Sequence, residues 1–181
     1  MKKMIFALVT LFMVTAFNVV NAQTKEEMKA SQERMEKLAK LCQKGPKATG
    51  VGEVDSYVKS VHDAAILSMA TTEQLHDLYY RQIGETKDGV QDVTIKKPTI
   101  EELTALSATI AAQAVTIKNA TASADKAITA SKSQKNPLKV AKITTALAFT
   151  KDAYPVLLEE SVAQTKAIAQ MIETAKTAKN L

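Results

Sequence analysis

The sequence predicts an all-α protein, an antiparallel up-down bundle of four long helices. Four stretches repeat apolar residues every three or four positions, which is the spacing of one helix face. Segments with Gly or Pro separate these stretches, at residues 45–46, 84–98 and 136–137. Most Phe residues precede residue 23 and the sequence has no Trp, so we expect a core of Leu, Ile, Val, Met and Ala. Such small side chains favour a slender bundle of closely packed helices.

Residues 1–22 have the features of a cleaved secretory signal peptide. Lysines near the start give it a positive end, an apolar stretch follows, and Val20 and Ala22 are the small residues that a signal peptidase needs. Cleavage after Ala22 leaves residues 23–181 as a mature chain, a length typical of a single domain. An uncleaved N-terminal anchor is the alternative reading. The sequence therefore predicts export, and it leaves open whether the protein is periplasmic or secreted.

The charge of the mature chain gives little support for a polyanion as partner. The whole chain has a formal net charge of +5, and removal of Lys2 and Lys3 with the signal peptide lowers it to +3. The lysines are spread along every predicted helix, without a basic cluster that is interleaved with aromatic residues, so nucleic-acid binding is not expected. The single cysteine, Cys42, excludes an intramolecular disulfide, and we expect packing to hold the fold together.

The first two helices are predicted at about residues 24–43 and 54–82. Thr24 and Glu27 have the spacing of a capping box at the start of the first helix, and Gly45-Pro46 follows its end. In the second helix, a single stripe is expected to face the core, and its members are Val54, Val58, Val61, Ala65, Thr72, Leu75 and Tyr79.

The third helix is predicted from Thr99 to about Ser133, and Thr99 with Glu102 forms a second capping box. Its expected core stripe consists of Leu103, Leu106, Ile110, Ala114, Ile117, Thr121, Ala124 and Ile128.

The fourth helix begins at Pro137, where Asn136 is suited to cap it, and two apolar faces follow. One face holds Leu138, Ala141 and Ala148, and the other holds Val140, Ile143 and Leu147.

Pro155 leaves two readings of this helix open. Inside a continuous helix it would bend the axis, whereas a new helix capped by Asp152 would contain it in the first turn. Glu159 and Glu160 are interpreted as carboxylates of a first helical turn. The expected core stripe of this last part consists of Leu158, Val162, Thr165, Ile168, Ile172 and Ala175.

Residues 84–98 interrupt the helical pattern at one end of the bundle. Asp88-Gly89 is a strong turn signal, and residues 93–95 alternate like a short strand, so the connection is expected to be irregular or hairpin-like. Together with two preceding tyrosines it forms the candidate contact surface, whose residues are Tyr79, Tyr80, Asp88, Val93 and Ile95. Packing at the end of the bundle is the alternative role for the tyrosines.

Glu73 and His76 have the spacing of half a di-iron carboxylate site. A second half would need another His that follows a Glu by three residues, but His62, the other histidine, follows Lys59. The two histidines are also about 21 Å apart along a helix, too far to share one ion. We therefore interpret His76 as a residue at the edge of the core stripe, and we expect neither a metal nor another cofactor.

The predicted function is a binding or structural role in the cell envelope or the extracellular space, without catalysis. Motifs of nucleophilic or zinc-dependent hydrolases do not occur in the sequence. The predicted partner is a protein or another envelope component of unknown identity. A lipid- or membrane-interacting amphipathic bundle is the alternative, because residues 103–117 are uncharged, although they are too few to span a bilayer. A metal- or haem-binding bundle is a third alternative.

Export gives the first testable prediction. The exported protein should begin at Gln23, and Ala22→Tyr should block this cleavage because the peptidase accepts only a small residue there. Intact-mass spectrometry of the protein from the exported fraction of the native cell shows where the wild-type chain begins and whether the variant is cleaved. An exported chain that keeps residues 1–22 would favour the anchor reading instead.

Overall fold

The computed structural model describes residues 25–43 and 45–179, which form four α-helices packed into a bundle. Helix α1 spans Lys25–Cys42, α2 spans Gly52–Ile83, α3 spans Ile100–Lys132 and α4 spans Pro137–Lys179. The described residues contain no β-strand. The all-α bundle is therefore confirmed, whereas the predicted signal peptide and Thr24 lie outside the described residues.

The helix ends follow from local sequence signals. At the start of α3, Thr99 Oγ1 accepts a hydrogen bond from the N–H of Glu102 (3.1 Å), and the Glu102 carboxylate accepts one from the N–H of Thr99 (2.7 Å). This is the predicted capping box. Asn136 Oδ1 accepts from the N–H of Leu138 (3.0 Å) and so caps α4. Gly84 ends α2 in the left-handed conformation, with φ 72°.

Helices α2 and α4 form the centre of the bundle. They pack against each other, and α1 and α3 each pack against both of them. The contacts of α1 with α4 run in opposite order along the two helices, because Glu27 pairs with Lys166 and Arg34 pairs with Glu160. The contacts of α2 with α4 run in the same order: Ser68 meets Gln164 and Gln82 meets the carbonyl of Met171.

The apolar core consists of two separate clusters. One lies toward the turn between α3 and α4 and includes Leu38, Val54, Val61, Ile117, Ile143 and Leu157. The other lies toward residues 84–98 and includes Met28, Leu75, Leu103, Ile110, Ile168 and Met171. Helix α1 has 18 residues against 32, 33 and 43 in the other helices, so it cannot flank their full length.

The structure decides between the two readings of Pro155. Residues 137–179 form one helix with Pro155 inside it, so a new helix that begins after an Asp152 cap is wrong. Glu159 and Glu160 accordingly lie in the middle of α4 and not in a first turn. The bend of the axis at Pro155 stays a prediction.

The predicted core stripe is correct for α2, where all seven members are buried. In α3 the predicted members Leu103, Leu106, Ile110 and Ile117 are buried, but Gln113 occupies a core position outside the stripe, and Thr121 and Ile128 are exposed. In α4 the core face includes Glu160 and Gln164. The expected apolar residues Leu158 and Val162 are exposed, as are Leu138 and Val140 near the start of that helix. In both helices the apolar pattern is correct for part of the core face, including Ile117 and Ile168, and it fails where polar residues take core positions.

Residues 103–117, the uncharged segment of α3, form an ordinary bundle helix with one buried face. Leu103, Leu106, Ile110, Gln113 and Ile117 are buried, and most of the residues between them are exposed. Within the described part of the chain, no helix combines the length and the apolar character needed to cross a membrane.

Candidate contact site

The connection between α2 and α3 begins with a compact hairpin-like turn. Glu85 and Gln91 form an isolated antiparallel bridge, and the N–H of Thr86 donates to the carbonyl of Val90 (2.8 Å). Gly89, with φ 79°, lies at the tip of this turn, where a residue with a side chain would be strained. The Asp88-Gly89 signal therefore predicts the turn correctly.

Residues 93–95 do not form the strand-like segment that their alternation suggests. The carboxylate of Asp92 accepts hydrogen bonds from the N–H (2.9 Å) and the hydroxyl (2.6 Å) of Thr94, and the N–H of Ile95 donates to the Asp92 carbonyl (3.2 Å). These bonds close a turn. They also lower the pKa of Asp92, because both hydrogen bonds stabilise its charged form.

Ion pairs attach both ends of the connection to the bundle. Lys25 Nζ lies 2.6 Å from Glu85 Oε2 and joins the turn to the start of α1. This lysine lowers the pKa of Glu85. At the other end, Arg81 Nε donates to the carbonyl of Lys96 (3.1 Å), and its guanidinium contacts both carboxylate oxygens of Glu102 at 3.1 Å. The connection is thus held at each end by charged groups of the helices.

The five predicted contact residues have different exposures. Val93 is fully exposed and Asp88 is exposed, whereas Tyr80 and Ile95 are half-buried. Tyr79 is buried in the core cluster near this end, and its ring meets the ring of Tyr80 edge-on at 5.4 Å. Tyr79 is therefore a packing residue, and the accessible part of the site is the connection itself.

Two features of this end escape the sequence interpretation. Val90 is 61% exposed and lies in the turn beside Asp88, so it adds a second apolar side chain to the accessible surface. An open groove between α2 and α3 also lies at this end. Its lining residues include three carboxylates, Glu73, Asp77 and Glu102, together with Leu78 and Leu106.

A layer of buried polar side chains separates the two apolar clusters. Its centre is the carboxylate of Glu160, which is fully buried in the middle of α4. The carboxylate accepts hydrogen bonds from Ser31 Oγ (2.5 Å), Thr72 Oγ1 (2.7 Å) and Arg34 Nε (2.7 Å). Three donors from two other helices therefore stabilise one charged group.

The next turn of α4 continues this layer with Gln164. Its amide nitrogen donates to Thr72 Oγ1 (2.8 Å) and to the carbonyl of Ser68 (3.0 Å). Its amide oxygen accepts from Gln113 Nε2 (2.7 Å) on α3. Because Ser31 and Arg34 belong to α1, the polar layer includes side chains of all four helices.

His76 is buried at the edge of this layer and is 7% exposed, so its predicted place at the edge of the core stripe is wrong. Burial lowers its pKa, and the nearby Glu160 carboxylate opposes that shift. Its Nε2 atom has no hydrogen-bond partner among the described residues. Glu73, by contrast, is exposed. The described residues contain no group of three or more His, Cys, Asp or Glu side chains that could hold a metal ion.

The sequence contains a weak signal for the polar layer. Ser68, Thr72, Glu160 and Gln164 continue the buried faces of α2 and α4 at helical spacing, where polar residues interrupt the apolar residues. An interruption of this kind in two helices is what a buried polar contact between them would produce.

Comparisons with known proteins identify no relative. No protein-family model, no curated protein and no solved structure matches this chain.

Replacement of Glu160 should strongly destabilise the bundle. Glu160→Ala leaves Arg34 without its carboxylate and two buried hydroxyls without their acceptor, and we expect a loss of about 3–5 kcal/mol in the free energy of unfolding. Glu159→Ala is the matched control, since Glu159 is exposed on the same helix, and its effect should stay within about 0.5 kcal/mol. Urea denaturation measures the free energy of unfolding of both variants. A loss for Glu160→Ala as small as that for Glu159→Ala would show that the polar layer contributes little to stability.

The burial of His76 should make stability depend on pH. The folded protein favours neutral His76, whereas the unfolded chain binds a proton near the ordinary pKa of 6.5. Stability from this group is complete above that pH and decreases as the pH falls below it, because the unfolded state then binds more protons. His76→Leu should abolish this decrease between pH 7 and pH 5.5, while His62→Leu on the same helix should retain it. Thermal unfolding across that range measures the difference.

Proposed function

We propose that this is an exported, non-catalytic helical bundle that binds a protein or another component of the cell envelope. The proposed contact surface is the connection at residues 84–98, with Tyr80 beside it. The role of the helices in this proposal is to hold the connection in a defined shape.

The observation that carries the proposal is the exposure of Val90 and Val93 on a connection that the helices hold in place. Val93 is fully exposed and Val90 is 61% exposed. Exposed apolar side chains beside polar ones are typical of interaction sites, and Val90 and Val93 lie three residues apart in the connection, after the exposed Lys87 and Asp88. Ordered loops on a rigid scaffold are also the usual position of binding residues.

The attachment of the connection to the helices favours binding because it reduces the conformational entropy that the connection loses when a partner binds. Arg81, Glu85 and Asp92 each make hydrogen bonds or ion pairs that restrict the connection before any partner arrives. A surface that is already ordered loses less conformational freedom on association, and its affinity is correspondingly higher.

A pull-down from the native cell envelope tests this proposal. We expect Val90→Ser combined with Val93→Ser to weaken capture of the partner more than tenfold, since each buried valine contributes about 1.5 kcal/mol or more to an interface. The matched control is Ile66→Ser combined with Val115→Ser, which removes the same number of exposed apolar side chains elsewhere on the bundle.

The proposal is supported if the wild type and the control variant capture a protein that the variant with Val90→Ser and Val93→Ser does not capture. If the wild type and both variants recover the same proteins in the same amounts, the connection is not the contact surface. If only the control variant loses capture, the contact surface lies on the helices.

A further inference from the structure

The end of the bundle opposite to the connection carries a concentration of lysines. We call it the basic tip and define it by Lys126, Lys132, Lys135, Lys139 and Lys142. These lysines lie in the last turns of α3, the intervening turn and the first turns of α4. At 1.5 Å per residue, they fall within about 10 Å of the tip along the helix axes. The sequence distributes lysines along all helices, but the fold collects these five at one place.

The basic tip contains the positive excess of the whole chain. From Lys126 to Lys142 the sequence has these five lysines and no Asp or Glu. Subtracting five from the net charge of +5 leaves 0 for the rest of the full chain. For the mature chain, with +3, the same subtraction leaves −2. The tip is therefore positive, whereas the rest of the mature chain has a small net negative charge.

The lysines of the tip are available to an external partner. In the part of the chain that the structure describes, the ion pairs involve Lys25, Arg34, Lys59, His62, Arg81 and Lys166, and none of the tip lysines. Lys139 donates to the carbonyl of Gly50 (3.3 Å), and the other four are exposed. The nearby carboxylates are Glu53 and Asp125, which line a groove on the side of the tip.

Apolar side chains are exposed among these lysines. Leu138, in the first turn of α4, is 76% exposed, and Val140 and Ile128 are also exposed. The bundle does not cover Leu138. Because this leucine lies at the end of a helix, it can enter the apolar region of a lipid bilayer. Residues 126–148 contain neither an aromatic residue nor an arginine, and these are the residues that most often stack on or pair with bases in nucleic-acid sites.

We propose that the basic tip docks the protein on an anionic phospholipid surface, with the lysines at the headgroups and Leu138 inserted at the boundary of the acyl region. Lysines near an anionic bilayer add to affinity roughly in proportion to their number, and a short apolar insertion adds to it. This is attachment to the surface of a membrane without crossing it. The basic tip lies about 50 Å from the connection, the length of α3, so a lipid-bound protein can still present its contact surface.

Vesicle co-sedimentation tests this proposal with the chain from Gln23 onward, which contains every residue that the structure describes and lacks the apolar N-terminal segment. We expect binding to vesicles that contain phosphatidylglycerol and none to vesicles of phosphatidylcholine alone. Binding should weaken as the salt concentration rises from about 0.05 M to about 0.5 M, because ions screen the attraction.

Two variants with one matched control locate the binding site. Lys132→Gln, Lys135→Gln and Lys142→Gln together should reduce affinity for anionic vesicles on the order of 100-fold. Leu138→Ser should reduce it severalfold. The control combines Lys29→Gln, Lys37→Gln and Lys40→Gln, which removes the same charge from exposed positions of α1 and should have little effect.

Equal losses in the lysine variant and the control would overturn the proposal, because binding would then follow net charge and not the basic tip. Failure of the wild type to bind anionic vesicles would also overturn it. So would binding of duplex DNA that displaces the vesicles at equal phosphate concentration, since this would assign the tip to a nucleic acid. An unchanged affinity of Leu138→Ser would exclude the insertion. None of these results affects the pull-down, which depends on Val90 and Val93.

Discussion

The buried carboxylate of Glu160 is the constraint on which the arrangement of the helices depends. A charged group out of water is costly unless hydrogen bonds satisfy it, and here the donors come from α1 and α2 while the carboxylate belongs to α4. Apolar contacts between helices rich in Ala and Leu are non-directional and tolerate several registers. The hydrogen bonds of Glu160 do not, because a shift of one turn would separate it from Ser31 and Thr72. One side chain thus fixes the relative position of three helices.

Gln164 extends the same constraint to α3, and the resulting layer divides the core into two apolar clusters. The two ends of the bundle differ in chemistry. One end presents a connection with Val90 and Val93, and the other presents lysines around Leu138. Because the polar layer lies between the clusters, it keeps these ends at a set distance and orientation. A partner at one end and a surface at the other would therefore be held in a defined geometry.

Local signals predict most of the fold, since capping residues, Gly and Pro act within a few positions along the chain. The Thr99 capping box, the Asp88-Gly89 turn and the core stripe of α2 are all of this kind. The stripes of α3 and α4 are only partly correct, because Gln113, Glu160 and Gln164 are buried by partners on other helices, and no pattern within one helix contains those partners. The candidate site is also predicted only in part, because some of its features depend on contacts between different helices. Tyr79 is covered by neighbours from other helices, and the lysines of the tip meet only when the chain turns back at Asn136.

The shortness of α1 has a consequence for the distribution of stability along the bundle. Beyond Cys42, the chain crosses residues 45–51 without a helix, and Val51 and Thr49 are the buried residues of that segment. The end of the molecule nearest the basic tip is therefore a three-helix section covered by residues 45–51, although Leu38 and Cys42 of α1 still pack in the apolar cluster on that side. Three helices shield each side chain less completely than four, so local opening should require less free energy at this end. The bundle should open first at the end that carries Leu138, while the end that carries the connection stays closed.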